Sequence, residues 1–263
     1  MKELLDFVLC RKPRLYQSIL KLKGNYNFEK ILFLSLIKDG NTVFDIGANR
    51  GYYTLLYSHL VGKYGEVHAF EPVPPTFNKL TQQISQKKRF DNVYLENVAI
   101  GDIEDTITLY MPDDDDGQAS SIAHASGSWK NATNVTSYTC KMIRLDDYLV
   151  SQPVKRLDFI KLDVEGAELF ALRGAAQTIS HYSPIIYLEI FNDWIKDFNY
   201  TSSDLIKLLI TLGYSEFYLV NNGLQRLIDP SLNLLPDKVS YSTNILCIGN
   251  KNNYLRITSL LNR

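Results

Sequence analysis

The sequence predicts an α/β domain with a mostly parallel sheet and helices on both faces. Three observations predict it. Short apolar runs alternate with segments of helical apolar spacing from residue 42 onward. The first of these runs closes on glycine and the second on proline. The chain has 263 residues, 45% of them hydrophobic, enough to bury one substantial core. Strand–helix alternation implies parallel pairing. Right-handed crossovers then bring the strand carboxyl ends to one edge, where ligands bind.

Residues 1 to about 38 read as helical, interrupted at Pro13 and at the Gly24-Asn25 turn. "FEKILFLSLIKDG" is the best helix of this part and stops at Asp39-Gly40. "TVFDIG" is the first strand and "GYYTLLYSHLVGKYG" its helix. "EVHAFEP" is the second strand, "PTFNKLTQQISQK" the next helix and "NVYLENVAI" the third strand. Between 101 and 145 the rhythm changes to a β-like insertion. "DTITLYMP" and "VTSYTCKMIRL" alternate with polar residues and flank the long loop "DDDDGQASSIAHASGSWKNATN". A loop of that length inside a domain is functional or disordered. The rhythm then returns with the strand "LDFIKLDVEG", the helix "AELFALRGAAQTIS" and the strand "SPIIYLEIF". "TSSDLIKLLITLGY" has a capping box at Thr201 and Asp204 and a glycine stop at Gly213. "SEFYLV" and "YSTNILCIG" are expected as a closing antiparallel pair. The division expected is a helical segment over 1–40 packed on a domain over 41–250, with a tail over 251–263.

Composition removes several function classes. The charges nearly cancel, 28 basic against 29 acidic, so no global field favours nucleic acid. Basic residues gather mildly near the start, at Lys2, Arg11, Lys12, Arg14, Lys21, Lys23 and Lys30. A solvated helical face is the favoured reading, and a weak peripheral contact is the alternative. Cys10, Cys140 and Cys247 lack metal-ligand spacing, and an odd, sparse set fits a reducing compartment. A cytoplasmic location is expected. No apolar run reaches about 18 residues, so no transmembrane helix is expected. "MKELLDFVLCRKPR" reads poorly as a signal peptide, and the sequons at Asn131, Asn134 and Asn199 read as chance matches.

The glycine turn "TVFDIGANRGYYT" narrows the ligand. A dinucleotide fingerprint counted from Gly47 needs glycine at positions held by Asn49 and Tyr52, and a P-loop needs Lys and Ser or Thr after Gly51. Both fail. Asp45, two positions before Gly47, would oppose a pyrophosphate but suit a ligand with positive charge. S-adenosylmethionine carries an ammonium and a sulfonium and no phosphate. Gly47 and Gly51 allow close backbone approach, and Asn49 tolerates unusual dihedral angles. Glu71 ends the second strand, 26 residues after Asp45, where an acid can accept ribose hydroxyls. Taken singly, Asp45 reads equally as a strand-end cap and Glu71 as a solvated residue before Pro72. Together, at this spacing, they favour the cofactor.

"VFDIGANRGYYT", "HAFEPVPPTFNKL", "NVAIGD", "ASSI" and "LDFIKLDVEGAELFALRGA" resemble, in that order, the motifs of the FkbM family of S-adenosylmethionine-dependent methyltransferases. The likeness runs from about residue 42 to 190, and the last block is the most specific. The resemblance implies a class I methyltransferase fold, Rossmann-like, with seven strands and an antiparallel last strand. It implies O-methylation, often of a sugar or natural-product hydroxyl. The expected cofactor set Asp45, Gly47, Asn49, Gly51 and Glu71 also takes in Ala48, Tyr53, Thr54 and Pro72 beside them, Asn97 and Ala99 where the end of the third strand would frame the adenine, and Ser120 and Ser121 through the family's "SS" element. Residues 1 to about 38 and beyond 200 carry no motif and are expected to choose the substrate.

Methyl transfer from a sulfonium is an in-line displacement, so the protein must align a hydroxyl and remove its proton. Asp163, Glu165 and Glu189 at the strand ends are the catalytic candidates, as bases or as oxygen ligands. Asp163 and Glu189 are the candidate ligands should a divalent ion such as magnesium take part. Glu168 reads as a first-turn helix acid. Lys161 shares a strand face with Asp163 and either pairs with a carboxylate or flanks the sheet. His68 reads as packed, and His124 is the one histidine to test as a base. Asp113 to Asp116 read as a solvated loop rather than a metal site. The expected activity is O-methylation of a small-molecule or glycan acceptor, such as a sugar or a glycosylated metabolite. The alternatives are a non-catalytic binding module of the same fold for a partner protein or glycan and, more remotely, a nicotinamide-dependent oxidoreductase.

Overall fold

A computed structural model describes residues 15–16, 18–19, 27–87, 91–112, 134–227 and 243–249. Ser120, Ser121, His124, Asp113 to Asp116, Cys10, the tail over 251–263 and the basic residues before Lys30 lie outside the described residues.

Helix α1 (Phe28–Leu36) starts at Asn27, whose side chain accepts the Lys30 N–H at 2.9 Å. The first strand, β1 (Thr42–Ile46), is buried along its whole length. So is β7 (Phe159–Leu162) beside it. Continuous burial belongs to strands covered on both faces, and it explains their unbroken apolar runs. The order across the main sheet is β3 (Val93–Glu96), β2 (Glu66–Phe70), β1, β7, β8 (Ile185–Ile190), β11 (Thr243–Ile248), β9 (Glu216–Val220) and β10 (Leu224–Arg226). The pairs from β3 to β8 are parallel, and β11 runs antiparallel to both β8 and β9. The seven strands from β3 to β9, with the last in sequence reversed, are the arrangement expected above. The hairpin strand β10 makes an eighth that the sequence did not announce.

The expected third strand divides. β3 ends at Glu96, and β4 (Ala99–Ile100) leaves for a second, three-stranded sheet in the order β4, β6 (Val135–Ile143), β5 (Asp105–Pro112). Asn97 makes the corner: its Nδ2 donates to the Glu71 carbonyl at 2.8 Å and the Pro72 carbonyl at 3.0 Å. The helix read over 167–180 also divides, into α5 (Glu168–Gly174) and α6 (Ala176–Tyr182). Ala175 breaks it with φ −112° and ψ 9°.

The other helices are α2 (Tyr52–Val61), α3 (Pro74–Lys87), α4 (Leu145–Ser151), α7 (Asn192–Ile195) and α8 (Ser202–Thr211). Helix α8 carries the expected capping box between Thr201 and Asp204. Strand alternation splits the core in two. Phe44, Ile46, Ile160, Leu162, Ile186 and Leu188 belong to one apolar cluster, while Val43, Phe159, Ile185, Tyr187 and Leu246 join α1 and α2 in the other. Among the described residues, no helix is long and apolar enough to cross a membrane.

Candidate functional site

The turn after β1 is shaped by backbone demands. Gly47 has φ 82°, and its N–H donates to the Phe70 carbonyl at 3.0 Å, as does the Ala48 N–H at 2.9 Å. A Cβ on Gly47 would stand 1.7 Å from the Asp163 carbonyl oxygen. The turn therefore lies directly on the end of β7, and a side chain at 47 is excluded by both φ and space. Gly51 has φ 83°, and its missing Cβ leaves room for Leu80 of α3. Asn49 takes the left-handed conformation with φ 50°.

Glu71 locks this turn. Its Oε2 accepts the Asn49 N–H at 3.0 Å and its Oε1 accepts the Val73 N–H at 2.9 Å. It is 6% exposed, and burial pushes its pKa up to about 7 despite those two bonds, with Asp163 and Asp45 adding to the rise. Beside it opens a cavity of about 300 Å³ at the carboxyl edge of the parallel strands. Gly47, Asn49, Glu71, Pro72, Asp163 and Glu165 form its polar wall, and Ala99 also lines it. Ile107, Leu109 and Met142 of the second sheet form an apolar wall that the sequence reading did not assign to the site. Polar–apolar alternation in β5 and β6 was the available signal, since their apolar sides must cover something.

Behind that wall lies an ionic row. In the sheet register Asp45 pairs with Lys161, and Lys161 with Tyr187. Asp45 is fully buried; Thr54 donates to its Oδ2 at 2.6 Å, and the Lys161 ammonium lies 4.0 Å from its Oδ1. Burial raises the Asp45 pKa more than Lys161 and Thr54 lower it. Lys161 lies 2.9 Å from Asp163 Oδ2. Burial opposes the lysine charge, but Asp163 and Asp45 outweigh it and hold the ammonium protonated well above its ordinary range. Burial likewise opposes the Asp163 charge. Lys161 and a hydrogen bond from Glu189 outweigh it and keep Asp163 below the ordinary carboxylate range.

Glu165 sits on the turn past β7 in the left-handed conformation, φ 56°. Burial and the neighbouring Asp163, Glu189 and Glu168 push its pKa up to about 10. Glu168 opens α5, but it is 2% exposed and serves the turn rather than a solvated helix end. Its carboxylate accepts the Val164 and Gly166 N–H groups, each at 3.2 Å, and the Tyr200 hydroxyl at 3.1 Å. Its pKa rises through burial to about 7.

The structure thus brings Gly47, Asn49, Glu71, Pro72, Ala99, Asp163 and Glu165 to one cavity. Asp45 and Thr54 stand behind it, and Ala48, Gly51 and Asn97 shape its loops. Tyr53 turns away and donates its hydroxyl to Glu29 of α1, as Tyr187 does at 2.7 Å. Glu29 was absent from the sequence reading, because nothing local marks a contact 24 and 158 residues away. His68 is packed at 3% exposure, with Nδ1 2.8 Å from the Tyr148 hydroxyl. Among the described residues, no group of three His, Cys, Asp or Glu is placed to hold a metal ion. The Lys161 ammonium already sits on Asp163 and would repel a divalent cation there. This donor set fits a protonated lysine and not a divalent ion.

Among the matches to known proteins are two similar curated proteins and a similar solved structure. Methyltransferase 1 of Beauveria bassiana is 27% identical over 183 residues, 64% of this chain and 72% of that protein. The hexuronic acid methyltransferase AglP of Haloferax volcanii is 29% identical over 167 residues, 63% of this chain and 62% of that protein. The crystal structure of methyltransferase FkbM from Methylobacillus flagellatus KT matches 80% of this chain and 44% of its own, with 17% identity and a TM-score of 0.48. The family model described as the methyltransferase FkbM domain matches residues 45–216, the stretch that holds the glycine turn, Glu71 and the Asp163–Glu168 turn. The chain belongs to the FkbM methyltransferase family.

Proposed function

We propose that the protein is an S-adenosylmethionine-dependent O-methyltransferase that acts on a hydroxyl of a sugar, a glycan or a glycosylated metabolite. The observation that carries this reading is the cavity wall. Glu71, Asp163 and Glu165 converge on one space at the strand ends, with Asp45 behind them. These acids outnumber the ammonium of Lys161 and a cation would favour their ionised forms, so the space suits a cation that also carries hydroxyls. S-adenosylmethionine would be held by Gly47, Asn49 and Glu71 on the polar side and by Ala99, Ile107 and Leu109 on the apolar side. When bound, it supplies an activated methyl group on a positive sulfur.

The chain's own residues would handle the acceptor. Asp163, held by Lys161, keeps its charge and can fix the orientation of a hydroxyl by accepting its hydrogen bond. Glu189 lies on the next strand beside it. Glu165, whose pKa is pushed up to about 10 in the unliganded site, holds its own proton near neutral pH and would take the hydroxyl proton only after a bound cation has driven it to ionise. Burial of this turn excludes water that would compete for the methyl group. A hexuronic acid, the acceptor class in the name of the Haloferax relative, is a reasonable first acceptor to test. The sparse and free cysteines Cys140 and Cys247 support a reducing, cytoplasmic setting.

The test is calorimetric titration with S-adenosylmethionine and S-adenosylhomocysteine, with NAD as control, followed by mass spectrometry of uronic acids, neutral sugars and their glycosides incubated with the protein. Micromolar binding of both sulfur ligands and a mass gain of one methyl on a hydroxyl are expected. Absence of binding by either ligand would overturn the reading in favour of a non-catalytic binding module.

A further inference from the structure

Helix α1 reaches the ionic row through one face. Glu29 and Phe33 are one turn apart, so their side chains lie together. Phe33 is buried among Tyr53, Tyr57, Phe159 and Tyr187, edge-on to each, with ring centroids 5.2, 5.4, 5.6 and 4.9 Å away. This seats the helix. One turn earlier, Glu29 takes both tyrosine hydroxyls: Tyr187 donates to Oε1 and Tyr53 to Oε2. A carboxylate only accepts, so the two hydroxyl protons are committed to it.

Both tyrosines wall Lys161. Tyr187 is its register partner on β8, and the Tyr53 ring centroid is 5.8 Å from the ammonium. Asp45 is the register partner on the opposite side. A buried hydroxyl that loses its partner turns to find another or admits water. Loss of Glu29 would therefore loosen two of the walls around the ammonium.

We propose that Glu29 is a positioning residue of the site: through the Tyr53 and Tyr187 hydroxyls it fixes the Lys161 ammonium against Asp163. Helix α1 is then a working part of the catalytic unit. The effect on turnover rests on the methyltransferase reading above; the effect on Lys161 does not.

The experiment has two arms. In the first, the unliganded protein is treated with N-hydroxysuccinimidyl acetate, and acetylation of Lys161 is timed by peptide mass spectrometry against the exposed Lys63 and Lys155. Lys161 should be nearly inert in the natural protein. Its acetylation should rise ~10-fold or more in Glu29→Gln, because an amide cannot accept both hydroxyls. The Tyr53→Phe/Tyr187→Phe double variant should show the same rise, while Lys63 and Lys155 keep their rates. Unchanged Lys161 acetylation in both variants overturns the proposal. In the second arm, Glu29→Gln should lower kcat ~10-fold or more on whichever acceptor gains a methyl in the mass-spectrometric screen, with cofactor Kd within ~2-fold, as misplacement of a catalytic group does. Equal loss of cofactor binding, or unchanged kcat, would reduce Glu29 to a structural role. Failure of the natural protein to bind either sulfur ligand would sink the methyltransferase reading and leave the first arm to decide the positioning of Lys161.

Discussion

Lys161 on β7 and Asp163, the residue just past the end of that strand, form an ion pair of 2.9 Å, with the lysine 4% exposed. Asp45 stands 4.0 Å from the same ammonium. One buried cation thus serves two carboxylates. Lys161→Met should leave both without a counter-charge and destabilise the fold by ~3–5 kcal/mol, the loss typical of a broken buried pair. Urea unfolding measures it. The double variant Lys161→Met/Asp45→Asn should recover part of that loss, since it removes one stranded charge. No recovery would mean that Asp45 is not held by Lys161.

Gly47→Ala tests the contact between the glycine turn and β7. The new Cβ would fall 1.7 Å from the Asp163 carbonyl oxygen, at φ 82°. Strain in this region for a side chain costs ~1–3 kcal/mol, and the clash with backbone adds to it. The variant should melt many degrees lower and bind no S-adenosylmethionine. Near-natural stability would show that the turn and the strand end are not packed as described. Gly213→Ala is the matched control: its φ is 93° but nothing lies within 4 Å, so strain alone should appear.

How much of this was legible in the sequence follows from the range of each interaction. The strand–helix rhythm is local, so the parallel strands and the capping box of α8 could be read directly. Asp45, Gly47 and Glu71 could be placed together because strand ends of a parallel sheet share an edge. The division of "NVYLENVAI" could not be read, because Asn97 turns the chain through bonds to the carbonyls of Glu71 and Pro72, 26 and 25 residues away. The role of Glu29 was equally hidden. Its partners come from α2 and β8, and a first-turn helix acid is unremarkable on its own. For Lys161, the spacing to Asp163 gave the shared face, but only the register with β1 shows Asp45 as the second partner.

The raised carboxylates make stability depend on pH in an unusual direction. Glu71 and Glu168 titrate at about 7 and Glu165 at about 10 in the folded protein, against 4.5 for an ordinary glutamate. Between those values the folded chain holds protons that the unfolded chain has released. Stability therefore falls as pH rises from about 4.5 through 7 and onward to about 10. Asp163 acts oppositely, with stability lost only as pH drops below the ordinary aspartate range. The unliganded protein should melt several degrees higher near pH 5.5 than near pH 8.5, and Glu165→Gln should flatten that slope. A melting temperature that climbs from the lower to the higher pH would contradict the burial of these groups.

Cofactor binding and turnover should separate between two acids of the cavity, Glu71 and Asp163. Glu71 lies on the side of the glycine turn, bonded to the Asn49 and Val73 N–H groups, and Asp163 lies on the side of Glu189. Glu71→Gln keeps the shape but replaces an acceptor-only carboxylate with an amide that cannot accept both backbone hydrogens. Cofactor Kd should rise ~10-fold or more, about 1.4 kcal/mol or above. Asp163→Asn removes the charge proposed to orient the acceptor and should lower kcat ~100-fold while Kd for S-adenosylhomocysteine changes by less than ~3-fold. The proton inventory gives an independent check. A cationic ligand favours ionised carboxylates, so S-adenosylmethionine binding near pH 7 should expel protons from Glu71 and Glu165. Calorimetry in buffers of different ionisation enthalpy counts them. Proton uptake on binding, or equal loss of Kd in both variants, would show that the cation does not lie between these carboxylates.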